Sequence, residues 1–383
     1  MSNTGKLIIV GDLFPVPSDV NRFIEGNIQN LFGDKICKLF ADADFRICNL
    51  EGTFTDGKER MEKTGPVLIA STQAIKAFKA LGIDFCMLAN NHITDGGTRG
   101  VKDTIEAIEK ADIRHIGAGM NEVAIPHYVI LNIEGKKICI YNVCETMYNK
   151  PSSSHAGAWL YDEYVICKEL ESLKSQCDYI VVVYHGGIEK FRYPSPETKK
   201  RFHRMADSGA DVILSQHTHC IGCEEYYNGS YLLYGQGDFL FNNFRPKLTG
   251  TGLIIELVFE NDKLSVKKHM TKCSDNYCLE YVDNPDFSEF EERSSHVNDD
   301  AFLYAQFQQF CMKELRLYLT AFKSPGYLLR ILRRLFPKHF NNWLCSKAFR
   351  RKDLMFALHT LRSEQNRETA ITGIEGLLNT YTD

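Results

Sequence analysis

Five short stretches of this chain carry side chains that ligate cations or move protons, and each lies at or just past a run of apolar, strand-forming residues. Asp12 follows Leu7-Ile-Ile-Val10, Glu51 follows Phe45-Arg-Ile-Cys48, and Asn91-His92 follow Phe85-Cys-Met-Leu88. His185 follows Tyr179-Ile-Val-Val-Val-Tyr184, and His217-Thr-His219 follows Asp211-Val-Ile-Leu214. In an open α/β sheet the carboxyl ends of the strands form the binding crevice, so residues at separate strand ends converge there. Convergence of these side chains predicts a binuclear metal site.

Two divalent ions about 3.5 to 4 Å apart clamp a phosphoryl group, lower the pKa of a water between them and stabilise attacking and leaving oxygens. Glu51 suits the shared position because a carboxylate offers two anionic oxygens. Asp12 supplies a terminal anionic ligand, Asn91 a neutral amide oxygen, and His185, His217 and His219 imidazoles suited to manganese, zinc or iron. His92 points to the other side of its turn and is the candidate general acid for the leaving oxygen. Asp95 is grouped with it, since Asp95 or Glu189 can orient a ligand or complete a shell. Arg99, Arg192 and Tyr193 lie just beyond ligand motifs and are candidates for contacting an anionic group, with Glu189 also assigned to the substrate side. Cys220-Ile-Gly-Cys223 is a lone pair with no second pair and is read as incidental.

The elements that must position these residues alternate. Short β-branched runs and helical stretches (Asn21 to Phe40, Thr72 to Leu81, Thr98 to Ala111, Asp162 to Ser175, Ser195 to Ser208) follow one another to about Leu214, the signature of an α/β layered domain. Two hairpins break the pattern, one turning at Glu134-Gly135 and one at Asn228-Gly229, the latter a strong hairpin signal. A third antiparallel pair, Leu253 to Phe259 with Leu264 to His269, follows. The expected fold is a sandwich of two mixed β-sheets flanked by helices, over residues 1–275. An acidic linker is expected over 276–300 and a basic helical extension over 301–383. Within the extension, Tyr327 to Phe336 is amphipathic and basic, of the kind that lies on anionic membranes.

Bulk properties exclude several classes. The chain has 383 residues, 45 basic and 49 acidic side chains and a net charge of −4. That balance argues against nucleic-acid binding and for a small or mobile substrate; the substrate expected from the candidate site itself is an anionic small molecule or polymer. Thirteen scattered cysteines, an odd number, fit a reducing compartment, so a cytoplasmic location is expected. No secretory signal and no apolar run of about 18 residues is legible.

The ordered motifs Gly11-Asp12, Asn49-Leu-Glu51, Ala89-Asn-Asn-His-Ile-Thr-Asp-Gly-Gly97, Tyr184-His-Gly-Gly-Ile-Glu189, Gln216-His-Thr-His219 and Tyr234-Gly-Gln-Gly-Asp-Phe-Leu-Phe241 resemble the CapA family. That family, named for poly-γ-glutamate capsule biosynthesis, is a branch of the calcineurin-like metallophosphoesterases. The resemblance spans roughly residues 6 to 260 and leaves out the tail. It implies a first metal held by Asp12, Glu51 and His219, a second held by Glu51, Asn91, His185 and His217, and His92 as proton donor. In the wider superfamily the first motif is Asp-x-His, whereas Phe14 stands here, so the first metal is expected to be short of an imidazole and loosely held. Family sequences commonly carry Gly-Asn-Phe where this chain has Gly237-Asp238-Phe239, which sets an extra acid, Asp238, near the cleft as a further substrate-side candidate. The implied activity is hydrolysis of a phosphate ester, with a phosphorylated precursor of a capsule or surface polysaccharide as substrate. Two rivals stand beside it: hydrolysis or transfer at an amide of poly-γ-glutamate, and a non-catalytic metal-binding subunit of a surface-polymer assembly. Capsule precursors are assembled at the inner membrane face, which the basic tail would suit.

Overall fold

A computed structural model describes residues 4–322 except 16, 18, 64, 242–249 and 275–277, together with 354, 355, 357, 358 and 361. The chain divides into two compact units, Met1–Phe307 and Gln308–Asp383. The first half of the larger unit runs β1 (Gly5–Leu13), α1 (Val20–Glu25), α2 (Asp34–Ala41), β2 (Phe45–Leu50), β3 (Thr53–Phe54), β4 (Ile69–Ala70), α3 (Ile75–Leu81), β5 (Phe85–Met87), α4 (Gly97–Lys110), β6 (Arg114–Ile116) and β7 (Ala118–Gly119). Next come β8 (Tyr128–Ile133), β9 (Lys136–Cys144), β10 (Gly157–Ala158), α5 (Glu163–Lys174), β11 (Tyr179–His185), α6 (Pro196–Asp207) and β12 (Val212–Gln216). The remainder is β13 (Glu224–Tyr227), β14 (Ser230–Leu233), β15 (Asp238–Leu240), β16 (Thr251–Glu260), β17 (Lys263–Cys273), β18 (Leu279–Tyr281), α7 (Ser288–Ser295) and α8 (Asp300–Phe322), whose last turns enter the second unit.

Two mixed sheets form a sandwich. One has the order β18-β17-β16-β1-β2-β5-β6, with β15 added beside the end of β1; the other is β13-β14-β12-β11-β9-β8. Strands β1, β2, β5 and β6 run parallel, as do β9, β11, β12 and β14. The three expected hairpins are the antiparallel pairs β8–β9, β13–β14 and β16–β17.

Side-chain alternation along each strand builds the layers. Leu7 and Ile9 of β1, with Val181 and Val183 of β11, enter the core between the sheets. Ile8 and Val10 face the other way, into a core with Phe23, Phe40 and Phe78 of α1, α2 and α3. Ile180, Val182 and Tyr184 meet Ile166 and Leu170 of α5 and Phe202 of α6. These strands are covered on both faces, which is why they read as unbroken apolar runs. The result is helices, sheet, sheet, helices, the architecture implied by the resemblance.

The sequence departs from the expected boundaries in two places. The stretch 276–300, expected as a linker, holds β18, paired to β17, and α7, which buries Phe290 in the inter-sheet core. Its acids face water while Leu279, Phe290 and Val297 bury, so average composition hides its anchoring role. The expected helix over 21–40 is three pieces, broken where Gly26 takes a left-handed φ of 69°. The basic stretch Tyr327 to Phe336 lies outside the described residues. No helix among the described residues is long and apolar enough to cross a membrane.

Under the strand ends, two buried glutamines tie the sheets together. Gln236 Nε2 donates to Ile9 O at 2.8 Å and Leu253 O at 3.0 Å, and Gln236 Oε1 accepts from Gln216 Nε2 at 3.0 Å. Gln216 Nε2 also reaches Val10 O at 3.1 Å. Replacing a fully bonded buried amide with an apolar isostere strands its partners, at a cost of about 1–3 kcal/mol for each group left unmade. Gln236→Leu should therefore lower stability by about 2–4 kcal/mol in urea unfolding; a loss below about 0.5 kcal/mol would show that the bridge is dispensable.

Candidate metal centre

Each candidate ligand sits at a parallel strand's carboxyl end. Asp12 lies near the end of β1, where the register to β2 slips between Val10 and Asp12 and leaves Gly11 as the extra residue. Such a bulge re-aims the side chain that follows it. Gly11 is required there, because a Cβ would lie 2.3 Å from Gly237 O. Glu51 is the first residue past β2, Asn91 follows β5 in a turn, and His185 is the last residue of β11. His217 and His219, just past β12, have φ of 84° and 52°. Left-handed backbone at a non-glycine residue costs about 1–3 kcal/mol, and such strain collects at functional sites. In this loop it turns both imidazoles inward.

The side chains form two clusters that share one residue. Asp12, Glu51 and His219 present ligand atoms within 4.8 Å of one another, and so do Glu51, His185 and His217. Asn91 Oδ1 lies 2.8 Å from His185 Nε2, which adds an amide oxygen to the second cluster. All six residues are buried. Between the clusters, both oxygens of Glu51 are buried with no hydrogen-bond partner, as is His217 Nδ1. A buried carboxylate without donors is costly unless a cation pairs with it. The unpartnered atoms point into a set of mixed oxygen and imidazole donors, which fits manganese, zinc or iron.

Electrostatics follow from that crowding. Burial, then the nearby Asp12, push the Glu51 carboxyl well above its usual range, while His219 opposes them. Burial also raises Asp12, against His219 and the Asn49 amide, whose Nδ2 donates to Asp12 Oδ1 at 2.6 Å. Burial alone would pull His219 down, but Asp238, Glu51 and Asp12 override it and hold that imidazole well above its usual value. Burial and the neighbouring histidines drive His185 well below its usual value and His217 down to about 3, which favours the neutral imidazole in both.

Around the clusters the other candidate residues separate. His92 Nε2 is 4.0 Å from Glu51 Oε1, and on the far side of its ring Nδ1 meets Asp95 Oδ2 at 2.7 Å. Asp238 does not face open cleft; it is 4% exposed and accepts from His219 Nδ1 at 2.8 Å, so it orients a ligand from behind. Its carboxyl is lifted to about 6, first by burial, with His219 pulling the other way. Arg99 is an exposed partner of Asp103 at 2.8 Å and lines a groove with Lys76, Lys79 and Glu106 that includes none of the ligands. Arg192 Nη1 is 3.3 Å from Glu289, and Glu189 is a half-exposed partner of Lys190. Phe14 is buried in the helix-side core, stacking on Phe54 at 5.6 Å, and among the described residues the first cluster has three protein donors. Cys220 and Cys223 are buried free thiols.

Two site residues were not singled out from the sequence. Glu145, next after β9, has Oε1 3.7 Å from His217 Nε2 and accepts from Gly187 N at 3.3 Å. Its strand-end position was the one available signal. Lys63, in the connection between β3 and β4, has a side chain only 3% exposed and contacts both His92 and Asp95; nothing in its neighbourhood along the chain marks it.

Known proteins resemble this chain over part of its length. The Capsule biosynthesis protein CapA of Bacillus anthracis is 30% identical over 193 residues, 49% of this chain and 47% of that protein. The PGA biosynthesis protein CapA of Bacillus subtilis (strain 168) is 25% identical over 264 residues, 64% of this chain and 65% of that one. The chain thus spans between about half and two thirds of the length of these relatives. Among solved structures, a phosphatase from Mycoplasma pneumoniae aligns with 76% of this chain and 100% of its own, at 17% identity and a TM-score of 0.44. The family described as Bacterial capsule synthesis protein PGA_cap matches residues 6–243, which exceeds half of the sequence and contains every ligand of both clusters, and the chain belongs to that family.

Proposed function

We propose that this chain is a metal-dependent hydrolase that cleaves a phosphate ester, acting on a phosphorylated precursor of a capsule or other surface polymer. The observation that carries the reading is the placement of His92, whose Nε2 faces the shared Glu51 at 4.0 Å while Asp95 holds its other nitrogen. A bound pair of divalent ions would supply charge neutralisation for the phosphoryl oxygens and a nucleophilic water at neutral pH.

The chain's own residues do the rest. Asp12, Glu51 and His219 would hold one ion, and Glu51, Asn91, His185 and His217 the other. Asp238 fixes the ring of His219, and Glu145 lies behind His217. His92 stands where the ester's leaving oxygen would depart, and hands it a proton from Nε2 as the phosphorus–oxygen bond breaks. Asp95 keeps the opposite ring nitrogen engaged, so the ring cannot turn away.

The substrate class rests on the relatives, one named for capsule biosynthesis and one for PGA biosynthesis. The second name also favours an alternative bond, an amide of poly-γ-glutamate. The odd cysteine count and the basic tail support a cytoplasmic place of work, at the inner membrane face.

With manganese, the protein is expected to hydrolyse p-nitrophenyl phosphate or bis-p-nitrophenyl phosphate. His92→Ala should lower kcat by about 10²- to 10⁴-fold with metal content unchanged. Failure on every phosphate ester together with glutamate release from polymer would move the assignment to the amide, and inactivity of a fully loaded protein in all assays would leave a binding role. Asp238→Asn should weaken binding at the first cluster by about 10- to 100-fold in competition with a chelator; unchanged affinity would mean that Asp238 does not support His219.

Chelated protein should also reveal the charge imbalance. His219 and Glu51 keep protons in the fold to higher pH than they do unfolded, and stability gained that way is lost as pH rises through the folded values. His185 and His217, shifted downward, still carry protons in the unfolded chain near pH 6.5 and add no slope only from about pH 7.5 upward. In excess chelator the thermal midpoint should fall from about pH 7.5 to about pH 9, and manganese should raise it most at the upper end. A midpoint that climbs over that window would contradict the cluster's electrostatics.

A further inference from the structure

We infer that Lys63 is the positioning residue of the proton donor: its ammonium clamps Asp95 so that His92 Nε2 is held toward the paired clusters. The inference rests on the phosphoesterase reading above and adds to it a residue that none of the site's motifs contains.

Geometry carries the argument. The Lys63 side chain is 3% exposed and that of Asp95 is fully buried, so their ion pair is cut off from solvent. Lys63 Nζ donates to Asp95 Oδ1, while Asp95 Oδ2 receives His92 Nδ1 at 2.7 Å and Leu68 N at 2.6 Å. Three donors thus fix one carboxylate in one orientation. Lys63 Nζ is also 3.1 Å from His92 Nδ1. Two donors so close cannot bond to each other when both carry hydrogen, and sharing the carboxylate between them resolves the conflict. With Nδ1–H committed to Asp95, Nε2 is the nitrogen left to exchange a proton at the clusters.

The loop that brings Lys63 in is fastened to the same turn. Met61 N donates to Asp95 O at 2.8 Å, and Thr94 Oγ1 contacts Met61 Sδ at 3.8 Å. A surface lysine would have reached water instead. Burying an ammonium is expensive unless a partner charge and good geometry offset it, and here the partner is the residue that holds the proton donor. Removing the ammonium takes away the ion-pair partner of Asp95 and leaves Oδ1 without its donor, which loosens the carboxylate's orientation and that of His92 with it.

The test compares Lys63→Met and Lys63→Arg with the unaltered full chain in manganese, on phenyl phosphate and p-nitrophenyl phosphate. Phenyl phosphate has the more basic leaving oxygen and depends more on a proton donor. Lys63→Met is expected to lose about 10- to 100-fold in kcat on phenyl phosphate, several-fold less on p-nitrophenyl phosphate, with KM and metal content little changed. Lys63→Arg should recover most of the phenyl phosphate rate, and Lys63→Met should cost nothing further in a His92→Ala background. Equal loss on both substrates, or additive loss with His92→Ala, overturns the inference as a general structural effect. Circular dichroism checks folding, and Lys63→Gln takes the same comparison should Lys63→Met fail to fold. If the unaltered chain turns over no phosphate ester, the phosphoesterase reading fails by itself, and nitrogen-15 shifts of the His92 ring decide the positioning claim. A single Nδ1–H form in the unaltered chain that becomes mixed in Lys63→Met supports it, and identical shifts in both overturn it.

Discussion

Glu51 follows its strand with both carboxylate oxygens buried and neither of them hydrogen-bonded, while burial and nearby charge push the pKa of two neighbouring imidazoles down and of a third up. An arrangement like this costs the fold stability, because buried polar atoms without partners are expensive features for a core to contain. Around it the protein spends further stability: a one-residue bulge at Gly11, and left-handed backbone at His217 and His219. None of these features improves packing, and all of them aim donors at the same small volume. A site that violates local rules in several independent ways at one point is the physical mark of function.

What allows those violations is the sandwich beneath. Each central strand sends alternate residues into two different cores, so the strand ends are fixed from both faces. Gln236 and Gln216 cross from one sheet to the other directly below the ligands and use their amides fully to do so, apart from Gln216 Oε1. The second ring of contacts continues the same logic. Asp238 backs His219, Asp95 backs His92, and Lys63 in turn holds Asp95. Orientation is passed outward until it reaches a rigid element or a closed ion pair.

Much of this was legible in the sequence, for a specific reason. Strands covered on both faces show as apolar runs, and polar residues at their ends are conspicuous against that background, so Asp12, Glu51, Asn91, His92, His185, His217 and His219 stand out by position as much as by type. Lys63 was invisible because it comes from a connection of no regular pattern, where a lysine reads as solvated. Asp238 was noticed as an added acid, but whether an acid near a cleft faces substrate or the back of a ligand depends on which side of β15 it emerges, and spacing does not carry that information. Arg99 was misjudged in a similar way, since α4 starts at the site's edge and turns that side chain outward to Asp103. The segment 276–300 defeats composition because three buried anchors, Leu279, Phe290 and Val297, are diluted by its acids and serines.

The division of donors between the two sheets has a consequence for how the protein is made. Every oxygen donor, Asp12, Glu51 and Asn91, lies in the first quarter of the chain, and every imidazole donor, His185, His217 and His219, lies beyond its midpoint or close to it. Of the candidate ligands, a nascent polypeptide therefore presents the oxygen donors first, and these favour magnesium and calcium over the softer transition ions. The imidazoles, which favour manganese, zinc or iron, join them only when the later sheet has closed on the earlier one, so the mixed donor set is a product of folding and not of any one stretch of sequence.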